Sequence, residues 1–122
     1  MILLITLGGI AGTLARYFLQ GLVQPKGDVF PWGTLAVNIS GSLLLGLIMR
    51  LATGAAIISP QMRVGLTIGF CGAFTTMSTF SYETIALTAD GEYWRAGLYA
   101  GSTVIGCLAA TAFGMALASK LL

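Results

Sequence analysis

Apolar residues fill this chain in four long blocks, and the polar positions fall either in short turns between blocks or at helical intervals inside them. The first block, about Ile2 to Val23, closes on QPKGD at residues 24–28, where a proline, a glycine and an aspartate suit a tight reversal. The second opens at Pro31 and Trp32, a helix-initiating proline beside an interfacial aromatic, and runs to about Ile58, with Ser59 and Pro60 ending it. The third covers about Arg63 to Ala89. An acidic turn, ADGE at residues 89–92, leads to the fourth, Tyr93 to Leu122, whose Tyr93 and Trp94 belong at headgroup level. Each block is near or above the roughly 20 residues that cross a bilayer's hydrocarbon. The pattern predicts an all-α integral membrane protein with transmembrane helices over residues 2–23, 32–58, 63–89 and 93–122, forming one domain over residues 1–122. The opening MILLITLGGIAGTLARY lacks a basic n-region and outruns a signal peptide's apolar core, so it reads as a first transmembrane helix.

Polar residues inside a membrane are costly and usually face a bundle interior or a watery cavity. In the first block Thr13, Arg16, Tyr17 and Gln20 recur at intervals of three and four; in the second Thr34, Asn38 and Ser42 do, and in the fourth Tyr99, Thr103, Cys107 and Thr111. Each set shares one helix face. A lone Ser or Thr is often satisfied by its own helix carbonyl, but Asn38 and Arg16 are not so easily satisfied, and both present donors. In the third block Gly69 and Gly72 precede Thr75 and Thr76, and glycine costs a helix interior about 1 kcal/mol each. These residues predict a break at mid-membrane, whose exposed carbonyls would suit a bare cation such as sodium. Beyond it Met77, Phe80 and Thr84 share a face, with Ser81 beside them. An aromatic ring turned edge-on to a pathway favours an anion. Small residues four apart, Gly8 with Gly12, Gly65 with Gly69, Gly97 with Gly101 and Ala110 with Gly114, mark close helix approaches.

Composition sharpens this picture. Of 122 residues 57% are hydrophobic and 8% charged, against about 25% charged in a soluble domain. A net charge of +2 with scattered basic residues gives no footing for nucleic acid. Cys71 and Cys107 lie in apolar blocks without a CxxC, which supports neither a disulfide framework nor a zinc site. With no histidine, phosphate-binding loop or nucleophile–base set, the chain does not read as an enzyme. Donors line the stripes, and Glu83 is the one acid well inside a block, so the sign of the species carried is negative: a conduit for a small anion. Arg50, Arg63 and Lys120 fall on the side of the termini; Lys26, Arg95 and, if it reaches outward, Arg16 fall on the other. That near-balance gives the positive-inside rule almost nothing to act on, which leaves insertion in both orientations open.

The stretches GGIAGTLARY (8–17), PWGTLAVNISGSLLLG (31–46) and GFCGAFTTMSTFSYET (69–84) together resemble the Fluc, or CrcB-type, fluoride channels. The resemblance implies four transmembrane helices per subunit, the third broken at mid-membrane, in an antiparallel dual-topology homodimer in the bacterial cytoplasmic (inner) membrane. It implies passive export of fluoride through two pores, with a structural Na+ where the two broken helices cross. By position it implies sodium-binding carbonyls on Gly72 and Thr75, a pore asparagine at Asn38, a vestibule arginine at Arg16, a pore phenylalanine at Phe80, and a polar track of Tyr99, Thr103 and Cys107. Thr34 and Ser81 join these as candidate pore hydroxyls. One position departs: where the family usually has a first pore phenylalanine this chain has Met77, a thioether in place of a ring edge. The partners expected are fluoride, the lipid bilayer and a second copy of the chain. The main rival is a proton-coupled exporter of the small multidrug type using Glu83, although that class depends on a first-helix carboxylate that this chain lacks. A non-transporting assembly subunit is a further alternative, for which the polar stripes would be an unneeded cost.

Overall fold

In a computed structural model describing residues 1–54 and 57–122, the regular elements of the described residues are all helical. α1 (Ile2–Val23) and α2 (Trp32–Gly54) are followed by a segment built in pieces: α3 (Pro60–Val64), a π-helical stretch (Gly65–Cys71), α4 (Gly72–Phe74) and, after two extended residues, α5 (Met77–Ala89). α6 (Tyr93–Ser119) completes the bundle. α1, α2 and α6 are each long and apolar enough to cross a membrane. At about 1.5 Å per residue, α1 alone extends roughly 33 Å, enough for the hydrocarbon layer. Its Leu7, Ile10, Leu14 and Phe18 are exposed, as lipid-facing residues should be.

Several boundaries differ from expectation. The expected second helix ran to Ile58, yet α2 is described only to Gly54; residues 55–56 lie outside the described residues, and Ile57 and Ile58 are not helical. Ser59 and Pro60, expected to end that helix, begin the next one, so the third segment starts before Arg63. The Met62 amide donates to the Ser59 hydroxyl at 3.3 Å, and Pro60 sits in the first turn, where its missing N–H removes no helical bond. Serine and proline mark helix starts and turns alike, which is why the pair misleads. α6 ends at Ser119, short of the expected Leu122.

Packing runs through the glycines. α1 lies against the π-helical stretch, and α2 against α6. A side chain added at Gly12 would strike the Phe70 carbonyl, one at Gly46 the Thr111 carbonyl, and one at Gly114 the Leu43 carbonyl, so the backbones touch at these places. Gly65 and Gly69, expected as a close-approach pair, face Leu4, Ile5 and Gly8 of α1, and Gly69, expected also to weaken its helix, serves that packing instead. Gly97 and Gly101 meet nothing within 4 Å, so that small-residue pair faces outward.

The α1–α2 turn is tied by side chains. Asp28 accepts from the Phe30 amide at 2.9 Å and from the Trp32 indole at 3.0 Å, while Gln24 donates to the Phe30 carbonyl and accepts from the Gly33 amide. The Phe30 amide, then the Trp32 indole, hold the Asp28 carboxyl below the usual carboxylate range. This tie is therefore fully present at neutral pH and is lost only as the pH falls through that lowered value.

Gly46→Val forces a side chain into the α6 backbone and should destabilise the folded chain by about 1–3 kcal/mol. Thermal melting in detergent checks this, with Gly97→Ala expected to leave the transition in place.

Candidate functional site

The third segment breaks where one side chain diverts its hydrogen bonds. Thr75 and Thr76 are extended, with φ/ψ of −86°/159° and −150°/111°. Asn38 of α2 meets the break with both ends of its amide: Nδ2 donates to the Thr76 carbonyl at 3.1 Å, and Oδ1 accepts from the Thr76 amide at 2.8 Å. In an unbroken helix the Thr76 amide would donate to the Gly72 carbonyl, and the Thr79 amide to the Thr75 carbonyl. Here the first goes to Asn38, and the second goes to the Thr76 hydroxyl at 3.2 Å, which caps α5. The carbonyls of Gly72 and Thr75 are thereby released from their helical donors. Gly72 itself stays helical, so the break comes from the threonines and Asn38 and not from the glycines.

Beside the break lies a groove of about 440 Å³ bounded by α2, the third segment and α6. Its walls bring together Asn38, Gly72, Thr75, Met77, Phe80, Thr103 and Cys107, seven residues singled out from the sequence. Met77 is 72% exposed at its edge, whereas Phe80 is buried with its ring edge-to-face on Tyr99 at 5.3 Å. Thr103 is 6% exposed, and among the described residues its hydroxyl has no hydrogen-bond partner. A hydroxyl so enclosed and unpaired is costly. The residue borders the groove, and its enclosed hydroxyl is a donor that no group among the described residues receives. Thr111, further along the same stripe, bonds back to Cys107 and across to the Ser42 carbonyl.

One helical turn toward the α1–α2 turn, the same three helices carry a second set. Thr34 of α2 is one turn before Asn38, Tyr99 of α6 one turn before Thr103, and Glu83 of α5 one turn beyond Phe80. The Thr34 hydroxyl donates to Glu83 Oε1 at 2.7 Å, and the Tyr99 hydroxyl to Oε2 at 3.1 Å. Gln20 of α1 donates to the Thr34 oxygen at 3.1 Å, which leaves the Thr34 proton for the carboxylate. Gln20, Gln24, Thr34 and Glu83 line a separate cleft of about 310 Å³. The role of Glu83 as the partner of both Thr34 and Tyr99 was not read from the sequence; its spacing of three from Phe80 was the available signal.

Two of the chosen residues lie outside these sets. Ser81 is exposed, and its hydroxyl bonds back to the Met77 carbonyl at 2.9 Å, the local satisfaction open to any helical serine. Arg16 is half-buried on α1 and, among the described residues, makes no hydrogen bond or ion pair. The same residues include no cluster of three or more histidines, cysteines or acids suited to a metal.

Comparison with known proteins supplies an independent line. The family described as "CrcB-like protein, Camphor Resistance (CrcB)" matches residues 3–115. A protein named fluoride-specific ion channel FluC from Geobacter sulfurreducens is 50% identical over 121 residues, covering 98% of each chain. Its namesake from Geotalea daltonii is 48% identical over 118 residues, 96% of this chain and 95% of that one. Another, from Chlorobaculum tepidum, is 46% identical over 117 residues, 96% and 93% of the two chains.

Asn38→Leu leaves the buried Thr76 amide and carbonyl without partners, each unmet group costing about 1–3 kcal/mol. The variant should unfold at markedly lower temperature or denaturant than the wild type, while Asn38→Asp, which can still accept from the Thr76 amide, should lose less.

Proposed function

Because the chain belongs to the CrcB family, we propose that it is a passive, fluoride-selective channel through which fluoride leaves the bacterial cytoplasm. It is a multi-pass protein of the cytoplasmic membrane and not an enzyme. The observation that carries the reading is the groove beside the broken helix, where the unpartnered Thr103 hydroxyl and Asn38 stand next to the Phe80 ring. Fluoride is small and strongly hydrated, so hydrocarbon excludes it unless donors replace its water. Thr103 and the second amide hydrogen of Asn38 are the donors not already engaged along these faces, while the Thr34 and Tyr99 hydroxyls donate to Glu83. Phe80 offers a ring edge, whose positive potential favours an anion, and Met77 offers a polarisable thioether at the mouth.

The assembly proposed is an antiparallel homodimer with two such pathways. The groove is open on one side, with Met77 exposed at its edge, which supports completion by a second copy. At the crossing of the two broken segments, the Gly72 and Thr75 carbonyls of both copies would hold a structural Na+. Their release from helical donors suits a hard cation that takes oxygen ligands. Such an ion supplies fixed positive charge that ties the two breaks together. Arg16, half-buried and without a hydrogen bond or ion pair among the described residues, is the proposed positive group at the vestibule.

Purified protein in liposomes should release fluoride when potassium movement is shunted and no proton gradient is present, and should release chloride far more slowly. A strict need for a pH gradient would favour a proton-coupled exporter acting through Glu83, and impermeable vesicles would favour a non-transporting subunit. Asn38→Asp should suppress fluoride flux strongly, since an acid at about 4 Å repels an anion by about 4 kcal/mol at an effective dielectric of 20; unchanged flux in folded protein removes Asn38 from the pathway. Met77→Phe should raise fluoride flux or its preference over chloride if a ring edge at the mouth helps, and unaltered values of both would show that the thioether serves equally well.

A further inference from the structure

We propose that the Glu83 carboxylate is a tethered anion that occupies the Thr34 and Tyr99 hydroxyls when fluoride is absent, and that fluoride passes this level of the channel by displacing it. The inference rests on the fluoride-channel reading above and adds a residue and a step to it.

The geometry is specific. The residues Asn38, Phe80 and Thr103 occur on α2, α5 and α6, and one turn away on the same three helices stand Thr34, Glu83 and Tyr99. At the inner level the Thr103 donor is unpartnered; at the outer level both donors are taken, one by each oxygen of the same carboxylate. Gln20 fixes the direction of the Thr34 proton by donating to its oxygen. Two hydroxyls converging on one anionic group is also the arrangement that a dehydrated halide requires, since both are acceptors only.

Two further features give the carboxylate room to move. Thr34 and Glu83 line the 310 Å³ cleft on the side of the α1–α2 turn, one helical turn from Asn38 and Phe80 of the central groove. Among the described residues no cation pairs with Glu83: the one ion pair joins Arg95 to Glu92 at the start of α6. Two hydroxyl bonds are what hold it, and a competing anion that accepts those same bonds releases it. The Tyr99 ring is meanwhile fixed by Phe30 and Phe80, so its hydroxyl stays in place when its acceptor changes.

The test sets two substitutions on one hydrogen bond against each other. Glu83→Gln keeps the shape and removes the competing charge, so fluoride efflux should reach half-saturation at a concentration at least about tenfold lower, the scale of exchanging a charged acceptor for a neutral one. Tyr99→Phe keeps the ring and removes a donor, so half-saturation should move to higher fluoride. A merely structural bond would shift both variants the same way, and that outcome overturns the proposal. A second measurement needs no variant: Glu83 and Glu92 are the only glutamates, so carbon-13 at the glutamate side-chain carboxyl gives two signals in reconstituted protein. Fluoride, and not equal chloride, should shift one and leave the salt-bridged Glu92 signal as reference; two unmoved signals overturn the proposal. Wild-type vesicles that fail to pass fluoride at all would refute the channel reading itself, a separate result from wild-type flux with unmoved glutamate signals.

Discussion

The structure depends on the paired hydrogen bonds between the Asn38 amide and the backbone of Thr76. A helix interrupted at bilayer depth must satisfy the peptide groups it frees, because no water is present to do so. One side chain that both donates and accepts meets the need at a single residue, and the Asn amide carries such a pair in one planar, uncharged group. Everything nearby follows from that tie. It holds Thr76 extended, which lets the Thr76 hydroxyl cap α5. It diverts the amide that would have covered the Gly72 carbonyl, and it sets the start of α5 so that Phe80 and Glu83 face α2 and α6.

Much of this was legible because the relevant signals are local. Four apolar blocks of spanning length mark the helices and period-four polar spacing marks the faces, while it is the family resemblance that puts Asn38 of one stripe beside Thr103 and Cys107 of another. The interruption at Thr75 and Thr76 was also foreseeable, although its cause was misjudged. Glycine propensity suggested that Gly69 and Gly72 would weaken the helix, whereas tertiary packing uses Gly65 and Gly69 to admit α1 and carries the helix through Gly72. Propensity is worth about 1 kcal/mol per glycine, and close backbone packing along a whole seam outweighs it.

Other features had no local signal. The π-helical stretch over Gly65–Cys71 depends on how α1 seats against it, which no spacing rule records. The Glu83 contacts join α5 to α2 and α6 across 49 and 16 residues. In the sequence Glu83 reads as an isolated acid; in the fold it is the acceptor that satisfies two of the predicted stripes at once. Ser81, four residues after Met77, shows the opposite: a hydroxyl that looked equivalent turns outward and bonds its own helix.

The charges at the two ends of the bundle bear on how two copies could meet. Asp28, Asp90 and Glu92 share one end with Lys26 and Arg95, whereas Arg50, Arg63 and Lys120 share the other with no acid. The Arg50 guanidinium donates to Ser119 at 2.8 Å, which fixes that cation beside the last turn of α6. The ends therefore differ in net charge while remaining nearly equal in lysines and arginines. Orientation in the membrane follows the count of basic residues, and acids contribute little to it, so this imbalance does not by itself select one insertion. In the antiparallel pair proposed above, each membrane face would carry one end of each kind and the asymmetry would cancel over the dimer. A parallel pair would concentrate three uncompensated cations from each copy on a single face, which like-charge repulsion disfavours within a Debye length of about 8 Å at physiological salt.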